Sequence, residues 1–395
     1  MLYLDNAATT PVRREALEAM IPYLTTEFGN PSSHHTFGER AAAALADARG
    51  TVARVLGMRP SDVVFTSGGT EANNLAVKGI SIAAHLARPA DSAADVRGRR
   101  HIITTPIEHE SILESVDYLR RVHSFAVTQL PVDAVGRVDP GDLEKALRDE
   151  TALVTLGYAN NEIGTIQDVP ALAAIARARR VPIHVDAVQA AGWLDLSAAT
   201  LGVDAISIAG HKVGAPPGTG ALAVRGRVPI EPLLHGGGQE RGRRSGTESV
   251  AGAVALATAL TLADAERVEA STRVAGFRDA FIAKVLDAVP TARLTGHPVH
   301  RLPGTASFTF AGTSGEAVLL ELERRGIVSS SGSACAAGSD EPSHVLLAIG
   351  IPGEVAQTSV RFTFSARIGT MGGVADARTL GDAVAASVAA VQSAA

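Results

Sequence analysis

The stretch Ala205-Ile-Ser-Ile-Ala-Gly-His-Lys-Val-Gly-Ala-Pro-Pro-Gly218 passes from an apolar run into a Gly/Pro-rich turn, with a histidine and a lysine at the junction. A short apolar run that ends at a glycine reads as a strand covered on both faces. Comparable runs lie at Val63–Thr66, His101–Thr105, Ala126–Leu130, Ala152–Leu156, Pro182–Val185 and Thr219–Val224, most of them separated by helix-like stretches. Such alternation predicts an α/β fold with a wound, mostly parallel seven-stranded sheet between helical layers.

Outward from this centre, helical periodicity marks Arg13–Tyr23 and Glu39–Leu56, where Gly57 stops the pattern. From about Val250 the sequence predicts a long Ala-rich helix, a strand at Thr305–Phe310, a helix near Glu316–Arg325 and a strand at Val360–Phe364. This reads as a smaller α+β domain. The expected division is a large domain over residues 16–255 and a small one built from 1–15 and 256–395. Ala87–Arg100 lacks an apolar face and is expected to be an exposed loop, and Ala385–Ala395 a fraying helix end.

With 395 residues and 46% hydrophobic content, the chain can bury a large core. A formal charge of −5 supplies no basic field for nucleic acid, so direct nucleic-acid binding is not expected. The single cysteine excludes an internal disulfide framework and leaves no Cys/His pairs of the kind structural zinc needs. No run approaches the ~20 apolar residues of a membrane span, and MLYLDNAATTP is not a secretory leader. The expectation is a cytoplasmic protein with no membrane contact.

Only four lysines occur, Lys78, Lys145, Lys212 and Lys284, and Lys212 alone stands where a strand turns into a loop. There it is either a surface charge or a desolvated amine able to form a Schiff base with an aldehyde. Asp186 closes the strand Pro182–Val185, with Gln189 three residues on. A carboxylate so placed caps a helix or holds a pyridinium nitrogen protonated, with a nearby amide for the ring's phenolic oxygen. Val63-Val-Phe-Thr-Ser-Gly-Gly-Thr-Glu-Ala-Asn-Asn74 leads a strand through two glycines and Thr70 into a helix, a cradle suited to one phosphate. Its spacing matches no nucleotide-binding loop. His109, in Pro106-Ile-Glu-His-Glu-Ser111, sits at another strand end, where an imidazole can stack on a cofactor ring and shuttle protons.

Cys335 lies among small residues in Ser329-Ser-Ser-Gly-Ser-Ala-Cys-Ala-Ala-Gly338, a segment unsuited to a core. No basic residue adjoins it, so activation of its thiol falls to a cofactor, the substrate or His109. Arg361 alternates with apolar residues on a strand, which suits bidentate capture of a substrate carboxylate or a structural ion pair.

Six ordered motifs, Ala7-Ala-Thr-Thr-Pro11, Gly29-Asn-Pro-Ser-Ser33, Thr66-Ser-Gly-Gly-Thr-Glu71, Asn160-Asn-Glu-Ile-Gly164, Gly236-Gly-Gly-Gln-Glu240 and Ser331-Gly-Ser-Ala-Cys335, together resemble the NifS/IscS-type cysteine desulfurases. These are fold-type I, class V aminotransferase-like enzymes, and the resemblance runs nearly end to end. It implies pyridoxal 5'-phosphate on Lys212, Asp186 at the pyridine nitrogen, His109 on the ring, and Asn161 and Gln189 near the phenolic oxygen. The phosphate would meet Gly69, Thr70 and His211. Thr247 would serve the neighbouring subunit of a homodimer, and Arg361, beside Asn161, would hold the substrate carboxylate. Ala209 departs from the family, many of whose members carry a serine that also touches the phosphate.

The activity so implied converts L-cysteine to L-alanine, with Cys335 taking the sulfur as a persulfide for an iron–sulfur scaffold or a tRNA-thiolation enzyme. Two rival expectations stand beside it. A selenocysteine or cysteine lyase would use the same cofactor with less need of Cys335, and a non-catalytic sulfur relay would only receive persulfide there.

Overall fold

The computed structural model describes residues 1–87, 98–331, 341–369 and 376–394. Cys335 and most of the Ala87–Arg100 stretch lie outside the described residues. Twelve strands run in chain order as β1 Leu2–Tyr3, β2 Val63–Thr66, β3 His101–Thr104, β4 Ala126–Gln129, β5 Thr151–Gly157, β6 Ile183–Asp186, β7 Ala205–Ala209, β8 Gly220–Val224, β9 Ala292–Leu294, β10 Thr305–Phe310, β11 Ile327–Val328 and β12 Ser359–Thr363. Seven of them form one sheet in the order β2-β8-β7-β6-β5-β3-β4. Only β8 runs against its neighbours; β2 pairs antiparallel with it and so points the same way as the rest.

Helices on both faces explain why these strands lack polar alternation, since each side chain of β5, β7 and β8 meets a packed layer rather than water. Val154 and Leu156 of β5 join Val185, Ile208, Leu45, Val52 and Leu256 in one core, whereas Leu153 joins Val64, Leu75, Ile80 and Leu222 on the opposite face. The period of two along a strand makes that division.

A second core gathers Phe281, Phe308, Phe310, Phe362 and Phe364 beside the antiparallel sheet β12-β10-β9. Phe281 meets Phe362 edge-on at 5.1 Å between ring centroids. The 39-residue helix Val250–Ala288, capped by Ser249 accepting from the Gly252 N–H, serves both cores. Ala253, Leu256 and Leu260 pack on the seven-stranded sheet, and Val274, Phe281 and Val285 on the small one.

Ahead of the first helix, the N-terminal segment runs between the small sheet and the turn after β7. β1 pairs parallel with β11, Asp5 bridges Thr363 at the end of β12, and the Thr10 N–H donates to the His211 carbonyl at 3.0 Å. It thereby ties the small sheet to the turn that carries Lys212.

Candidate active site

The co-directional strands end along one edge of the sheet, and a chain turn follows each: Gly68–Thr70 after β2, Glu108–His109 after β3, Asn160–Asn161 after β5, Val188–Gln189 after β6, and His211–Lys212 after β7. Convergence at the carboxyl ends of parallel strands is where open α/β sheets leave a crevice. Here that crevice is a cavity of about 400 Å³ lined by Gly69, Thr70, His109, Asn161, Asp186, Gln189, His211, Lys212 and Arg361. Thr247 faces a separate cavity of about 210 Å³ with Ser67 and Arg244.

At one end, Gly68 takes φ 147°, a conformation that excludes a side chain, before the helix beginning at Gly69. A Cβ on Gly69 would stand 2.9 Å from Val188 Cγ2 and 3.1 Å from Ala209 Cβ, so only glycine lets the helix start lie this close to β7. Gly69, Thr70 and His211 all line the cavity, and a helix start offers main-chain N–H groups to an anion. Burial, and then the neighbouring charge of Lys212, push His211 down to about 4, which keeps the imidazole neutral at pH 7.

Lys212 follows β7 in a short 3-10 turn, and its Nζ donates to the main-chain carbonyls of Ala7 and Ala8, the latter at 2.7 Å. Gln189 Nε2 donates to the same Ala7 carbonyl at 3.1 Å. Elsewhere Lys78 lies over the Tyr118 ring, while Lys145 and Lys284 pair with Asp142 and Asp382. None of these three lines the cavity.

Asp186 accepts from the Val188 N–H at 2.9 Å and from Asn73 Nδ2 at 2.7 Å. Asn73 also donates to Ser111 Oγ, which lies 2.8 Å from His109 Nδ1. His109 caps the helix Glu110–His123 through that same nitrogen, which accepts the Ser111 N–H. Glu108, only 4% exposed, accepts from the Thr105 hydroxyl at 2.6 Å and from the Gly157 N–H. Burial, reinforced by the nearby Asp186 charge, outweighs those bonds and pushes its carboxyl up to about 8.

Arg361 reaches the cavity from β12, 2% exposed. Its two terminal nitrogens donate to the Asn161 carbonyl at 2.9 Å and to Asp5 Oδ1 at 2.8 Å, while Nε is buried without a hydrogen-bond partner among the described residues. Arg361 is thus ion-paired, as one of its two sequence readings expects, and it also lines the cavity. Beside it, burial raises the Glu162 carboxyl, which accepts from the Ser343 hydroxyl.

Glu108, Asn73, Ser111 and Asp5 carry no functional role in the sequence reading. Each stands beside a residue that does, or within a quoted motif, but a polar side chain near a helix start or strand end is ordinarily solvated, so only the fold reveals its burial.

Taken together, the cavity offers a strand-end amine, a buried carboxylate, a helix-start cradle and a guanidinium converging on one space. The Aminotransferase class-V family matches residues 2–368. A cysteine desulfurase IscS of Dictyoglomus turgidum is 44% identical over 92% of this chain and 89% of that protein. An IscS-like cysteine desulfurase of Mycobacterium tuberculosis is 46% identical over 92% and 91%. Among solved structures, a NifS-like protein superposes with a TM-score of 0.85 at 34% identity, covering 100% of this chain and 98% of the other. A structure of SspA in complex with cysteine does so with 0.79 at 33%, covering 92% and 99%.

Proposed function

The chain belongs to the class-V aminotransferase family, and on that premise we propose that it is a pyridoxal-phosphate-dependent cysteine desulfurase that converts L-cysteine to L-alanine and lodges the sulfur on Cys335. The observation that carries this reading is the Lys212 amine standing on the same cavity as Asp186 and Arg361. The donor set fits the cofactor: an amine for its aldehyde, a buried carboxylate for its ring nitrogen, and the Gly69–Thr70 helix start with His211 for its phosphate. Pyridoxal phosphate, when bound, supplies the aldehyde carbon for Lys212 and an electron sink for the substrate's α-carbon.

The residues of the chain then divide the work. Asp186, fixed by the bonds it accepts from Val188 and Asn73, would hold a proton at the ring nitrogen. His109 would lie against the ring, with Asn161 and Gln189 toward its phenolic oxygen; all three line the cavity. Arg361, set by Asp5 and the Asn161 carbonyl, orients the substrate carboxylate. The Lys212 amine would carry the α-proton of the substrate. The Cys335 thiolate attacks the substrate sulfur, forming a sulfur–sulfur bond as the carbon–sulfur bond breaks. The electron pair left on carbon takes up protons, and alanine leaves.

Several finer statements belong to the same proposal. Two separate apolar cores support a large unit over 16–255 and a small one over 1–15 and 256–395. The active form is a homodimer in which Thr247 serves the other subunit's phosphate; Thr247 lies apart from its own chain's cavity, and Leu17, Leu24, Phe28 and Phe37 leave apolar surface exposed. The acceptor is an iron–sulfur scaffold or a tRNA-thiolation enzyme, reached in the cytoplasm. No helix among the described residues is long and apolar enough to cross a membrane.

A single turnover with sulfur-labelled L-cysteine tests the transfer step. Label should stay on the wild-type protein until a thiol reductant releases it, and Cys335→Ser should retain none. Equal retention by both proteins would contradict the assignment of Cys335.

A further inference from the structure

Ser111 has no part in the chemistry above, and Asn73 enters it only through its bond to Asp186, yet the two join Asp186 to His109. Asn73, 2% exposed, sends one amide N–H to Asp186 Oδ2 at 2.7 Å and the other to Ser111 Oγ at 2.9 Å. Ser111, in the first turn of the helix Glu110–His123, meets His109 Nδ1 twice, through its main-chain N–H at 3.0 Å and its Oγ at 2.8 Å.

The direction of each bond follows from the one before. An ionised carboxylate can only accept, so the NH2 end of the Asn73 amide faces Asp186; the flipped amide would set oxygen against oxygen. Asn73 Oδ1 is then the end left over, and it is buried with no partner among the described residues. Because the second amide N–H is given to Ser111 Oγ, the Ser111 hydroxyl proton must point elsewhere. A main-chain N–H can only donate, so the His109 nitrogen that receives it, Nδ1, bears no proton. The Ser111 hydroxyl proton is directed at that same lone pair. The neutral ring consequently carries its proton on Nε2.

We propose that Asn73 and Ser111 are positioning residues that hold the Asp186 carboxylate and fix the neutral His109 ring in the tautomer that carries its proton on Nε2. This rests on the reading that Asp186 and His109 flank a bound cofactor. In consequence any proton that the neutral His109 ring gives up leaves from Nε2, while Nδ1 stays committed to Ser111. The chain of bonds runs from the Asp186 carboxylate through Asn73 and Ser111 to the His109 imidazole.

The test begins without cofactor. In apoprotein labelled with 15N-histidine, the His109 signals, identified by their loss in His109→Gln, should show Nε2 protonated and Nδ1 bare. Ser111→Ala should move the Nδ1 resonance, and Ser111→Thr, which restores a hydroxyl, should return it. A proton on Nδ1 in the wild type, or a Ser111→Ala spectrum identical to wild type, would overturn the proposal. Titration of apoprotein with pyridoxal phosphate supplies the second readout. Asn73→Ala should bind it roughly tenfold more weakly, the share of one hydrogen bond to a charged group, with far-ultraviolet circular dichroism unchanged. Unchanged affinity would refute the hold on Asp186. Failure of the wild type to bind pyridoxal phosphate would sink the cofactor reading and leave the tautomer result standing.

Discussion

Glu108 is a side chain whose charge the fold opposes. Its carboxyl is pushed up to about 8 from 4.5 by burial against the Asp186 side of the cavity. A carboxyl raised in the folded state favours folding while it keeps its proton. That contribution is complete below the unfolded value of 4.5 and is lost as pH rises through about 8, with a ceiling of roughly 5 kcal/mol at 1.36 kcal/mol per unit. Apoprotein stability measured by urea unfolding between about pH 5 and about pH 9 should therefore fall with rising pH. Glu108→Gln should flatten that slope, and parallel curves for the two proteins would refute the assignment. Legibility at this scale followed position. Lys212 and Asp186 could be read because they punctuate apolar runs, and Lys212 because only four lysines compete with it. Asp5 could not, since its meaning lies in Arg361, 356 residues away.

At the scale of elements, three adjacent strands share a polar ladder on the sheet face that also carries Leu153 and Leu222. Thr155 Oγ1 of β5 meets His184 Nδ1 of β6 at 2.8 Å, and His184 Nε2 meets Ser207 Oγ of β7 at 2.8 Å. Burial alone drives His184 down to about 3 from 6.5. A histidine lowered in this way supports the fold above its unfolded value, and that support is lost as pH falls from 6.5 toward about 3. His184→Val removes the titration and strands two buried hydroxyls, which costs about 1–3 kcal/mol for each. Urea midpoints should show the variant weaker near pH 7 and less sensitive to acidification; an equal acid loss in both proteins would contradict this. The seven runs read as strands lie within a residue or two of β2 through β8, because double-sided burial writes an apolar signature into each. By contrast β1, β9 and β11 span two or three residues, too few to carry a period, and exist only through the partners the fold brings them.

Across the whole molecule, the site is assembled from two cores and one crossing segment. The seven-stranded sheet supplies Lys212, Asp186 and His109, the small sheet supplies Arg361, and the N-terminal segment touches both through Ala7, Ala8 and Asp5. Neither sheet holds the full set. Such an assembly is legible in sequence only as ordered motifs spread along the chain, because the convergence of strand ends is a property of topology. Fold alone would not name a reaction, since one scaffold hosts many chemistries; the amine, carboxylate and guanidinium on one cavity narrow the choice. The most direct measurement is product analysis of purified protein, its visible spectrum recorded, incubated with L-cysteine and a thiol reductant. Yellow protein releasing alanine and sulfide in equal amounts is the expected result, whereas yellow protein releasing pyruvate, or colourless protein releasing neither product, would contradict the account.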